Sequence, residues 1–154
     1  QALNEPGVGK SRDPERTPMQ WDDTEYAGFS TEEPWLPLTD DFKERNVREQ
    51  WDKKDSTLHF YRRLIRLRNQ EPALHIGDHA PVYTESNVLS YIRSFEDSSF
   101  LMILNLSNAE VEYHPKLDWK GKVRIATHSE MEDKELHGAL QVKENMGLVI
   151  ELHK

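Results

Sequence analysis

The chain has no cysteine, so no disulfide framework can staple it. It has no run near the roughly 18 apolar residues that a transmembrane helix needs. It also lacks a basic excess: 28 acidic residues face 20 Lys and Arg, a formal charge of −8. That balance argues against a nucleic-acid surface, which shows a basic patch. The nucleophile-elbow pattern Gly-x-Ser-x-Gly is absent. Gly7 and Gly9 lack the preceding strand that a phosphate-binding or dinucleotide loop needs. Seven histidines are scattered, and His75 and His79 flank Gly77 beyond Pro72, where no shared helix is expected. No metal site and no cofactor are therefore expected. Hydrophobic residues make up only 36% of the chain, yet four Trp and five Phe argue against a wholly disordered polypeptide.

What is present changes character along the chain. Residues 1–40 hold five of the eight prolines and three of the seven glycines, so an extended irregular segment is expected there. Long loops without elements of their own are usually functional or disordered. The aromatics Trp21, Tyr26, Phe29 and Trp35 favour function, and Trp21 is expected to be buried in packing rather than to line a binding site by stacking. Val47 and Trp51 suggest a short helical turn within 45–52. The strongest helix spans 56–70, capped by Asp55 or Ser56 and stopped by Pro72. Leu58, Tyr61, Leu64, Ile65 and Leu67 form its apolar stripe, expected to pack on a sheet or barrel. Arg62, Arg63, Arg66 and Arg68 are read as a solvated face or a set of salt bridges.

From residue 80 the period becomes two. Strands are predicted at 82–84, 88–93, 100–106, 110–113, 122–126 and 148–152, with a weaker one at 139–142. The continuous apolar run 100–106 predicts a strand covered on both faces. Short strands at this spacing suggest an antiparallel sandwich or small barrel. The sequon Asn105-Leu-Ser107 lies inside a strand pattern, a poor place for a glycan.

Residues 11–22 read Ser-Arg-Asp-Pro-Glu-Arg-Thr-Pro-Met-Gln-Trp-Asp, with two arginines, three acids, two prolines and a tryptophan. Neither helix nor strand periodicity fits this run, which is read as a shaped loop. Followed by Ala27-Gly-Phe-Ser30, it resembles a signature of the α-glucosidase branch of the α-amylase family of glycoside hydrolases. Glu33-Pro-Trp35-Leu36, Asn46-Val47 and the helix ending in Leu67-Arg68 follow in the order that branch shows. The resemblance covers about residues 11–110. It is to maltases, and also to the extracellular heavy chains of amino-acid transporters, which share the fold without glycosidase activity.

The resemblance implies an α+β fragment. Residues 1–74 would form the C-terminal end of a (β/α)8 TIM barrel, as loop plus helix, and 75–154 an all-β antiparallel sandwich. A complete barrel needs roughly 200 to 400 residues, more than this chain has. The parent would hydrolyse terminal α-linked glucose with retention, outside the cell or at the outer face of the plasma membrane. Its partners would be an α-glucoside oligosaccharide or sucrose and the upstream barrel of the same polypeptide, with no nucleic acid. The carboxyl pair that glycoside hydrolysis needs lies in earlier family motifs, none of which occurs here. No catalytic residue is therefore expected in this chain. Asp13, Glu15, Asp22 and Asp23 are read as acids that hold the loop by pairing with arginine. What the resemblance carries over is substrate binding: Arg12 would reach the nonreducing-end glucose and Arg16 the next sugar. A guanidinium is a rigid, permanently charged fork of donors, suited to fixing sugar hydroxyls. The alternatives are a noncatalytic transporter heavy-chain ectodomain and a free-standing β-domain at 75–154.

Overall fold

The computed structural model describes residues 16–83 and 87–154. They fall into two compact units, one ending at His59 and the other running Phe60–Lys154.

The first unit is mostly irregular, as its proline and glycine density predicts. Its helix α1 spans Val47–Trp51 and starts at Asn46, which is 1% exposed. Asn46 Oδ1 accepts from the Glu49 amide at 2.9 Å, and Asn46 Nδ2 donates to the carbonyls of Phe42 and Lys43. One side chain thus caps the helix and closes the turn before it. Helix α2, Thr57–Gln70, follows. Ser56 Oγ accepts from His59 N at 3.3 Å and Gln50 Oε1 from Leu58 N at 3.0 Å, so two first-turn amides are satisfied. Trp21 corrects its expectation: half of it is exposed, and Trp35 is 82% exposed.

The second unit is β-rich and antiparallel. Its strands are β1 Asp78–Pro81, β2 Leu89–Phe95, β3 Ser98–Leu104, β4 Val111–Tyr113, β5 Lys120–Ala126, β6 Glu135–His137, β7 Leu140–Val142 and β8 Gly147–Leu152. Six pair in the order β1-β2-β3-β8-β5-β6, and β4 pairs with β7. Strand β3 is covered on both faces. Leu101 and Ile103 join Val123, Leu148 and Ile150 with Tyr113 and Val142 from the β4–β7 pair. Phe100 and Met102 face the other way, onto Ala73 and Leu74 of the short helix α3, Pro72–His75. Each such side chain fully removed from water contributes roughly 1.5–3 kcal/mol.

Pro72 ends α2 as expected, then starts α3 at its first position, where a missing N–H costs nothing. The stripe of α2 is only partly packed: Leu67 is buried, whereas Tyr61 and Ile65 are more than half exposed. The helix carries two apolar faces, and the sequence period alone did not separate them. The strand predicted at 82–84 lies earlier, at 78–81, with Thr84 outside the described residues. On the arginine-rich helix, Arg63 pairs with Glu132 at 2.5 Å. The sequon asparagine is 0% exposed and makes five side-chain hydrogen bonds. Both hydrogens of its amide are directed at carbonyls of Ala109, Val142 and Lys143, which leaves no room for a glycan in the folded chain.

Candidate functional site

The loop that carries the resemblance enters the described residues at Arg16, which is exposed. Arg12, Asp13 and Glu15 lie outside them. From Thr17 onward the chain forms one wall of an open cleft of about 370 Å³ within the first unit. Thr17, Pro18, Met19 and Gln20 face Thr39, Asp41, Arg45, Asn46, Val47 and Gln50 across it. Pro18 is buried and anchors its wall. A side-chain relay crosses the cleft: Gln20 Nε2 donates to Thr39 Oγ1, which donates to Asp41 Oδ1 at 2.7 Å. Arg45 Nε lies 3.3 Å from the other oxygen of Asp41. Amide, hydroxyl, carboxylate and guanidinium groups thus converge on one small concave surface, the chemistry that orients a polyhydroxylated ligand.

Sequence reasoning missed Thr39, Asp41 and Arg45. They meet Gln20 only through chain closure across 19 or more positions, and no local pattern marks them.

The backbone of the cleft's first wall is held at its C-terminal end. Gln20 O accepts from Val47 N and Trp21 O from Arg48 N, each at 3.0 Å. These are the first two amides of α1, which have no partner within the helix. On the other side, the amides of Trp21 and Asp22 both donate to Ala27 O, at 2.9 and 3.2 Å. Ala27 belongs to a turn in which Tyr26, Ala27 and Gly28 all have positive φ, of 53°, 56° and 65°. For a residue with a side chain that conformation costs roughly 1–2 kcal/mol.

The two described acids of the loop are held differently from each other. Asp23 pairs with Arg48 at 2.5 Å, as an acid–arginine contact predicts. Asp22 departs from that reading: its carboxylate accepts from Thr24 N at 2.9 Å and from Thr24 Oγ1 at 2.5 Å. The Thr24 hydrogen bonds hold the Asp22 carboxyl below its ordinary value of 3.8. The hydrogen bond from Arg48 does the same for Asp23. Both shifts favour the carboxylate form. A depressed carboxyl stabilises the folded loop above the unfolded value and ceases to as pH falls through the lowered one. Carbon-detected NMR titration should therefore place the Asp22 carboxyl midpoint below 3.8, and a midpoint above it would contradict the capping geometry.

Among the described residues no group of three or more His, Asp or Glu is placed to hold a metal ion. His75 closes α3 while His79 lies in β1, packed 4.9 Å from the Tyr91 ring. No helix of the described residues is long and apolar enough to cross a membrane.

The α-amylase catalytic-domain family matches residues 1–77, half of the chain. The chain is 39% identical to a glucan 1,6-α-glucosidase of Streptococcus pneumoniae over 113 residues, 73% of this chain and 20% of that protein. It is 36% identical to a trehalose-6-phosphate hydrolase of Escherichia coli over 123 residues, 79% of this chain and 22% of that protein. An isomaltulose synthase from Klebsiella sp. LX3 superposes with a TM-score of 0.84 at 30% identity, over 93% of this chain and 26% of that one. The chain spans about a fifth of the length of the curated relatives it matches. The family match includes the loop that carries the resemblance and the whole of α2. The chain belongs to the α-amylase family.

Proposed function

We propose that this chain is the C-terminal portion of an α-glucosidase that hydrolyses terminal α-linked glucose from maltose-like oligosaccharides or sucrose with retention. The observation that carries the reading is the family match over residues 1–77. It is supported by relatives that act as glucosidases and by a sucrose-bound isomaltulose synthase among the structural neighbours. In this reading residues 1–74 are the end of the catalytic barrel and 75–154 a β-sandwich domain. The family match that stops at residue 77 and the change to antiparallel sheet from β1 support that division.

Arg12 grips the nonreducing-end glucose and Arg16 lies by the next sugar. Their guanidiniums supply paired, fixed donors that a neutral side chain lacks. The catalytic carboxyl pair belongs to the rest of the barrel. In a retaining enzyme one member attacks the anomeric carbon while the other protonates the leaving oxygen. Position, not acid–base chemistry, is what this chain contributes. The polypeptide acts outside the cell or at its outer face.

The test compares two proteins on p-nitrophenyl α-glucoside. The complete polypeptide should turn over and residues 1–154 alone should not. Turnover by residues 1–154 would refute the placement of the carboxylates. A complete polypeptide that folds without turnover would support a noncatalytic role instead.

A further inference from the structure

The left-handed turn at Tyr26–Gly28 is not demanded by the chain's need to reverse. A turn with glycine at each such position would do so without strain. Two residues with side chains hold the conformation, so the surroundings must over-determine it. They do so in three ways. Ala27 is 0% exposed and its amide donates to Thr24 O at 2.9 Å. Its carbonyl takes both the Trp21 and Asp22 amides. The Asp22 carboxylate ties Thr24 and packs against Gly28, where an added Cβ would lie 2.9 Å from its carbon and both its oxygens. Residues 20–22 are therefore clamped between this turn and the first amides of α1, and Gln20 at the clamped end is a wall of the cleft.

We infer that the turn Tyr26–Ala27–Gly28, latched by Asp22, is a positioning device that sets the cleft wall Thr17–Gln20, the segment that follows Arg16 in the chain. The kinetic part of the inference rests on the glucosidase reading. The clamp itself does not. Gly28 and Asp22 act as positioning residues: neither lines the cleft, and both act through the backbone of residues 20–22.

The experiment uses the complete polypeptide carrying Gly28→Ala or Asp22→Asn. The first forces a methyl against the carboxylate; the second keeps its shape and weakens its acceptance from Thr24. Peptide-resolved amide exchange over residues 19–24 should quicken about tenfold in Gly28→Ala and less in Asp22→Asn. For p-nitrophenyl α-glucoside, KM should rise about tenfold in Gly28→Ala with kcat within about threefold, the pattern of lost substrate placement. A purely structural role would lower the active fraction, cutting kcat with KM unchanged, and that result would overturn the inference. If Gly28→Ala does not fold, Asp22→Asn carries the same two readouts at about threefold. A wild-type protein without turnover would fail the glucosidase reading alone, leaving exchange to decide: faster exchange upholds the clamp and unchanged exchange overturns it.

Discussion

Asn105→Ala is expected to destabilise the β-rich unit by about 3–5 kcal/mol, a large share of a domain's net stability. Asn105 joins the end of β3 to the turn between β7 and β8. Its amide donates to Ala109 O at 2.8 Å, Val142 O at 3.0 Å and Lys143 O at 2.8 Å. Its carbonyl accepts from Ser107 N at 3.0 Å and Ser107 Oγ at 2.7 Å. Alanine removes all of these at once. Each buried polar group left without a partner costs roughly 1–3 kcal/mol, and water can reach those nearest the surface, so the total falls below the simple sum. Asn105→Asp is the sharper variant, because a carboxylate cannot donate and sets its charge against three carbonyl oxygens. Burial and those oxygens would raise its folded-state pKa above the unfolded value near 3.9. The folded form then binds more protons, so this variant should regain stability as pH falls through its raised pKa. Urea unfolding at neutral and acidic pH measures both effects. A loss under about 1 kcal/mol in Asn105→Ala would show that the hub contributes little.

How much was legible in the sequence follows from where each signal resides. Strand β3 was legible because Phe100–Leu104 is apolar at every position, and both faces are in fact covered. Helix α2 was legible through its length, its Ser56 cap and Pro72. Strand β6 was not: Glu135–His137 has three residues, one of them half-buried, and exists only because its register with Lys120–Lys122 supplies partners. Strand β1 is exposed throughout, so no alternation betrays it.

The site divides the same way. The loop residues were singled out by composition and resemblance. The opposite wall at Thr39, Asp41 and Arg45 was illegible, because the closure that makes it a wall spans many positions. The left-handed turn was illegible at Tyr26 and Ala27, since only Gly28 is a residue type that advertises positive φ. Trp21 misled because an aromatic in a loop reads as core, whereas this one is half exposed.

Replacing Arg12 by alanine in the complete polypeptide should lower kcat/KM for an α-glucoside by about 10²–10³-fold. A charged hydrogen bond contributes roughly 1.5–3 kcal/mol, and a forked guanidinium makes two of them in parallel. Lysine should recover little of the loss, because a single ammonium cannot reproduce the planar fork. Arg16→Ala should cost less, since the proposed reading puts it by the next sugar rather than the terminal glucose. Most of its loss should appear with disaccharides and little with p-nitrophenyl α-glucoside, which has no second sugar to hold. Folding is not expected to change in these variants, so circular dichroism and the unfolding midpoint serve as controls. The most direct test of the whole account is the steady-state kcat/KM of Arg12→Ala beside wild type on p-nitrophenyl α-glucoside. A fall of about a hundredfold or more with the fold intact is the predicted result. Equal values for the two proteins would contradict it.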